Sequence, residues 1–146
     1  MPPEATPYGF RPEMIEQQTP IEQKIAALRK QYVQTLDTRF AQLEQAYMQM
    51  IAATTVQDHV RRLMILSHTL CGSAGMFGFG DIATCCRRIE GLCHLLLRDN
   101  TNPKIWHEVS ACMTQLQEAV LEPRLVEPSG LADIAGLQAL LPQQRF

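Results

Sequence analysis

The chain has 146 residues, 46% of them hydrophobic and 19% charged, with a formal net charge of −2. That describes one domain of ordinary size and excludes the basic footprint of a nucleic-acid binder. Nine prolines leave the stretch from Ile21 to Asn102 without one, which excludes collagen-like sequence, opposes disorder in the middle of the chain and argues against an all-β fold with its frequent turn signals.

Residues 1–19 carry four prolines and no sustained period, and read as a Pro-rich tail. Thr19-Pro20-Ile21-Glu22 then aligns an N-cap Thr, a Pro at the first helical position and a Glu placed to close a capping box. From there Ile21, Ile25, Leu28, Tyr32, Leu36, Phe40, Leu43, Tyr47 and Met50 recur three or four apart, the stripe of a first helix. Thr54 and Thr55 are expected to cap a second, with Val56, Val60, Leu63, Leu66, Leu70, Ala74 and Phe77 inward. Gly78 and Gly80 read as the following loop, flanked by Phe77 and Phe79 as core plugs. Asp81 is expected to cap a third helix with Ile82, Cys85, Ile89, Leu92 and Leu96 inward, ending near Asp99-Asn100. Asn102-Pro103 repeats the cap-plus-proline signal, and Ile105, Val109, Cys112, Leu116 and Val120 form a fourth stripe before Pro123.

Four amphipathic helices with short connections predict an all-α, antiparallel up-and-down four-helix bundle over residues 20–122. Residues 123–146 contain an apolar stretch, Leu131 to Leu141, that fits either a short docking helix or a loose tail. No apolar run approaches the roughly 20 residues needed to span a bilayer. The N-terminus lacks the basic-then-apolar order of a secretory signal, so the expected location is the cytoplasm, with no membrane partner. Cys71, Cys85, Cys86, Cys93 and Cys112 are odd in number and lie in helical sequence, which points to reduced thiols.

One residue does not fit the packing. At 100° per residue, His68 lies about 150° from the second stripe and should project into solvent. Its face holds Arg61, Met64, Ile65, Gly72 and Gly75. Each mid-helix Gly costs on the order of 1 kcal/mol against Ala, so two so close together need a reason. Bare backbone beside a nucleophile lets another protein approach it closely.

The run His68-Thr69-Leu70-Cys71-Gly72-Ser73-Ala74-Gly75-Met76-Phe77-Gly78-Phe79 resembles the phosphoacceptor motif of histidine phosphotransfer domains, including that of chemotaxis-type kinases. The resemblance spans roughly residues 21–121 and is strongest over 60–97. It implies that His68 is the phosphoacceptor. It also implies that Glu90, on the third helix, occupies the position of a Glu that hydrogen-bonds the phosphoacceptor ring in chemotaxis-type members. The family's Lys three residues after the His is replaced by Cys71, and Arg61, Arg87 and Arg88 are the cations available to stand in for it.

The function so implied is a phosphorelay. His68 takes a phosphoryl group from a sensor kinase or its receiver domain and passes it to a response-regulator aspartate. An imidazole is largely unprotonated at neutral pH and is a competent nucleophile. A carboxylate holding the Nδ1 proton fixes the tautomer that leaves Nε2 free. No G-x-x-x-x-G-K-[ST] run is present, so the chain reads as a phosphoryl carrier and not an autonomous kinase. No cofactor of its own is expected, Mg²⁺ being supplied by the partner's receiver domain. The expected partners are a receiver domain and a sensor histidine kinase, met as a monomer through Arg61, Met64, Ile65, Cys71, Gly72, Gly75 and Arg87, with Arg62 and Arg88 as further basic contacts.

The alternative from another class is a non-transferring module of the same fold that docks on a kinase or receiver and inhibits or scaffolds it, a reading favoured by the missing Lys. His59, His94 and His107 have no constellation around them and read as ordinary surface or cap residues. Cys86, Glu90 and Cys93 share a helical face with His94 adjacent, but without a C-x-x-C pair small thiols filling a helix interface are the preferred reading over a metal site.

Overall fold

A computed structural model describes residues 19–126. The tail before Thr19 and the apolar stretch Leu131 to Leu141 lie outside the described residues. The fold is an all-α four-helix bundle: α1 (Pro20–Ala52), α2 (Gln57–Met76), α3 (Gly80–Arg98) and α4 (Pro103–Leu121). Two compact units divide the chain, one ending at Gln34 and the other starting at Thr35, with α1 contributing to both.

The first unit opens on the expected capping box. Glu22 N–H donates to Thr19 Oγ1 at 3.1 Å, and Thr19 N–H donates to Glu22 Oε2 at 3.0 Å. Of its apolar stripe only Tyr32 is buried. Ile21, Ile25 and Leu28, expected inward, are 73%, 44% and 44% exposed. Periodicity marks the apolar side of a helix and does not by itself supply an element to cover it.

In the second unit, Leu36, Leu43, Ala46 and Met50 of α1 are buried, while Phe40 and Tyr47 are half-buried beside α4, lining a shallow groove with Met113 and Thr114. α3 packs against both α2 and α4. Its buried line is Ile82, Ala83, Cys86, Ile89, Leu92, Cys93, Leu95 and Leu96. Cys85, expected inward, is only half-buried because it lines an open hollow between α3 and α4. α4 matches expectation: Asn102 Oδ1 accepts from Lys104 N–H at 2.9 Å, Pro103 opens the helix, and the predicted stripe is buried with Met113 added. Trp106 Nε1–H donates to the Asn100 carbonyl at 2.7 Å and ties the α3–α4 turn to the bundle.

Two predicted caps are not made. α2 starts at Gln57 with Val56 at its N-cap and no side-chain hydrogen bond there, so neither Thr54 nor Thr55 caps it. α3 starts at Gly80, with Phe79 at its N-cap, and Asp81 lies inside the first turn. An acid there still favours the positive end of the helix. The α2–α3 turn explains the shift. Phe77 N–H reaches Ser73 O, Gly78 N–H reaches Gly75 O, and Phe79 N–H reaches Ala74 O. Gly78 adopts φ 85°, the left-handed geometry that ends a helix and suits glycine. The turn closes so quickly that Phe79, 3% exposed, is buried as a plug, while Phe77 is half-buried. Val126 N–H donates to Gly78 O at 3.0 Å and fixes the chain after α4 to this turn.

Candidate functional site

α2 and α3 run antiparallel across their short turn, and two contacts set their register. His68 Nδ1 lies 2.9 Å from Glu90 Oε1. At the turn end, a Cβ built on Gly75 would stand 3.8 Å from the Ala83 Cβ. Each step forward on α2 is therefore matched by a step back on α3, and this places Cys71 opposite Arg87 midway between the two contacts. Charge agrees with the register: the Cys71 thiol is pushed up by burial, and the Arg87 guanidinium beside it, hydrogen-bonded to the sulfur, partly offsets that rise.

The imidazole of His68 is 75% exposed, as its angle from the α2 stripe predicted, whereas Glu90 is only 24% exposed. A carboxylate can only accept, so Nδ1 carries the ring proton and donates it to Glu90 Oε1, which leaves the Nε2 lone pair unprotonated. Glu90 is wedged in the α2–α3 seam, and a half-buried acceptor fixes a mobile ring better than an exposed one.

The rest of the predicted face is assembled around this pair. Ile65 is 62% exposed and Met64 half-buried. Gly72 is exposed, and a Cβ there would meet nothing within 4 Å. Packing among the described residues thus gives no reason for glycine at 72, and only ordinary van der Waals contact at 75. Met76, 76% exposed, extends the apolar side of the face. Sequence reading left it out, although eight residues after His68 put it about 80° round the helix from the histidine, close to the direction of Ile65.

The three arginines proposed as stand-ins part ways. Arg61 binds Asp58 at 3.3 Å on the exposed first turns of α2. Arg88 is turned to α4, its Nη2 donating to Glu108 Oε2 at 2.9 Å. Arg87 alone faces the seam that holds His68 and Glu90. His94 and His107 are exposed and His59 is half-buried. Burial holds the Cys86 thiol well above its usual range and pushes Cys93 up to about 12, so both are protonated core groups, while Glu90 is engaged by His68. None of the five cysteines is in a disulfide. Among the described residues, no helix is long and apolar enough to cross a membrane.

A hollow of about 570 Å³ lies between α3 and α4, lined by Asp81, Thr84, Cys85, Gln115, Glu118 and Arg124. Counting five residues back from Glu90 puts Cys85 on another side of α3, so this hollow is separate from the histidine. The His68–Glu90 couple sits on an open helical surface, an arrangement suited to chemistry completed by a second protein.

A four-helix bundle that presents a carboxylate-oriented histidine on an outer face defines a class of carrier modules. The Hpt domain family model matches residues 27–123, and the chain belongs to that family, the histidine phosphotransfer modules of phosphorelays. Neither the curated proteins nor the solved structures include a match to it.

Proposed function

We propose that the chain is a phosphoryl carrier in which His68 is the phosphoacceptor and Glu90 the positioning residue, working in the cytoplasm as a monomer between a sensor kinase or its receiver domain and a response-regulator aspartate. The observation that carries this reading is the 2.9 Å contact between His68 Nδ1 and Glu90, made by a ring that is otherwise exposed. With Nδ1–H held, the Nε2 lone pair attacks the phosphorus of an aspartyl phosphate. The N–P bond forms as the P–O bond to the aspartate breaks, and the aspartate leaves as a carboxylate. The ring becomes a phosphorylated imidazolium, whose positive charge Glu90 offsets. Transfer to the next aspartate is the reverse of the same step.

Such a transition state asks for positioning and charge neutralisation more than covalent machinery. The acidic pocket and the Mg²⁺ belong to the partner's receiver domain. Met64, Ile65 and Met76 offer it apolar contact, Gly72 and Gly75 a close approach, and Arg61 a basic rim contact.

Incubation with receiver domains charged by a small phosphodonor tests the reading. Acid-labile, base-stable label on the wild type and none on His68→Gln is the expected result. An unlabelled wild type favours the non-transferring docking module, and label persisting on His68→Gln removes His68 from the role.

A further inference from the structure

Resting on the reading of His68 as phosphoacceptor, we propose that Arg87 of α3 is the cation that binds the phosphoryl oxygens on His68 Nε2. It would supply from the neighbouring helix the positive charge that α2, with Cys71 one turn after His68, lacks. The register carries this assignment. His68 is level with Glu90 and Gly75 with Ala83, so Cys71 and Arg87 are level with each other, one turn of about 5.4 Å along the seam from the histidine. The guanidinium rests beside the Cys71 sulfur, a weak acceptor that an incoming phosphoryl group, with its strong anionic oxygens, displaces readily.

Charge balance gives the residue its task. Glu90 is already negative beside the ring, and a phosphoryl group adds further negative charge next to it. A cation one turn from Glu90 on the same face of α3 offsets both. The other arginines are less well placed, since Arg88 is committed to Glu108 across α3–α4 and Arg61 to Asp58 two turns back along α2. Arg87 is half-buried, so its charge acts in a medium less screened than bulk water.

Phosphorylation by phosphoramidate tests the idea without a partner protein. In that reaction the Nε2 lone pair attacks phosphorus, the P–N bond of the donor breaks, ammonia leaves and the N–P bond to the ring forms. The rate of phosphohistidine formation, followed by ³¹P NMR, is expected to fall about tenfold in Arg87→Gln, the loss of one charge-assisted hydrogen bond, and to stay within about threefold of wild type in Arg87→Lys. Cys71→Lys placed in the Arg87→Gln background is expected to restore the rate, a rescue that a merely structural arginine does not allow. Equal rates in wild type and Arg87→Gln, with phosphate on His68 in both, overturn the inference and leave the reading of His68 intact. A wild type that acquires no phosphohistidine sinks the reading itself, and the inference with it.

Discussion

Ser67 and His68 are neighbours in sequence and opposites in environment: the serine is 0% exposed and the imidazole beside it 75%. The 100° step of a helix is enough to carry the chain from the core to the solvent in one residue. On the buried side the serine is a cost, because Ser67 Oγ finds no hydrogen-bond partner among the described residues. A buried hydroxyl without a partner forfeits its hydration without recovering it. Ser67→Ala is therefore expected to stabilise the fold by about 1 kcal/mol, with a small further gain from helix propensity. Urea denaturation measures it through the midpoint at unchanged m, and a lower midpoint in the alanine variant shows that the hydroxyl contributes a bond. The exposed side is legible from the periodicity alone, since the angle of His68 from the α2 stripe sets its exposure. Its bond to Glu90 is not legible that way: a contact between residues 22 apart needs the register of two helices, and here the family pattern supplied it.

At the scale of the element, α2 is built less stable than its length permits. Gly72 has open space where a side chain would be, and Gly75 only ordinary contact with Ala83, so neither is there to let the chain's own helices approach. Gly72→Ala is expected to stabilise the protein by about 1 kcal/mol through helix propensity. Gly72→Leu should fold as well yet slow transfer to a receiver domain by an order of magnitude or so, because the added side chain blocks the approach of the partner's backbone. Thermal melts and transfer rates on the same preparations separate the effects, and unimpaired transfer in Gly72→Leu takes this stretch of α2 out of the interface. The helices themselves are readable in sequence because apolar period and cap chemistry coincide, most clearly at Thr19–Glu22 and Asn102–Lys104, where each predicted bond forms. Thr54, Thr55 and Asp81 fail as caps for a physical reason. A cap signal says that a helix can begin there, whereas the tight α2–α3 turn, drawn in by buried Phe79, decides where α3 does begin. The Ile21, Ile25 and Leu28 positions fail likewise, as periodicity gives the apolar face of a helix but not whether another element covers it.

For the whole molecule, the core carries a dependence on pH that the surface does not reveal. Cys86 and Cys93 are both fully buried in α3, between α2 and α4. Burial raises the Cys86 thiol well above its ordinary value, 9.0, and Cys93 from 9.0 to about 12. An acid whose folded pKa is raised gives up its proton first in the unfolded chain. Above pH 9 the unfolded state therefore binds fewer protons than the native one, and stability falls as pH rises until the native thiols also ionise, for Cys93 at about 12. The slope approaches about 1.4 kcal/mol per pH unit for each thiol in that window, a large loss for a domain whose total stability is on the order of 5–15 kcal/mol. Below about pH 8 these groups contribute little slope, because both states keep nearly all of the protons. Urea midpoints measured from pH 8 to 10.5 are expected to be level at first and then to fall. Cys93→Ala should start lower, from the volume it loses, but decline less steeply by one thiol's share. Parallel declines in wild type and Cys93→Ala remove Cys93 from the alkaline lability.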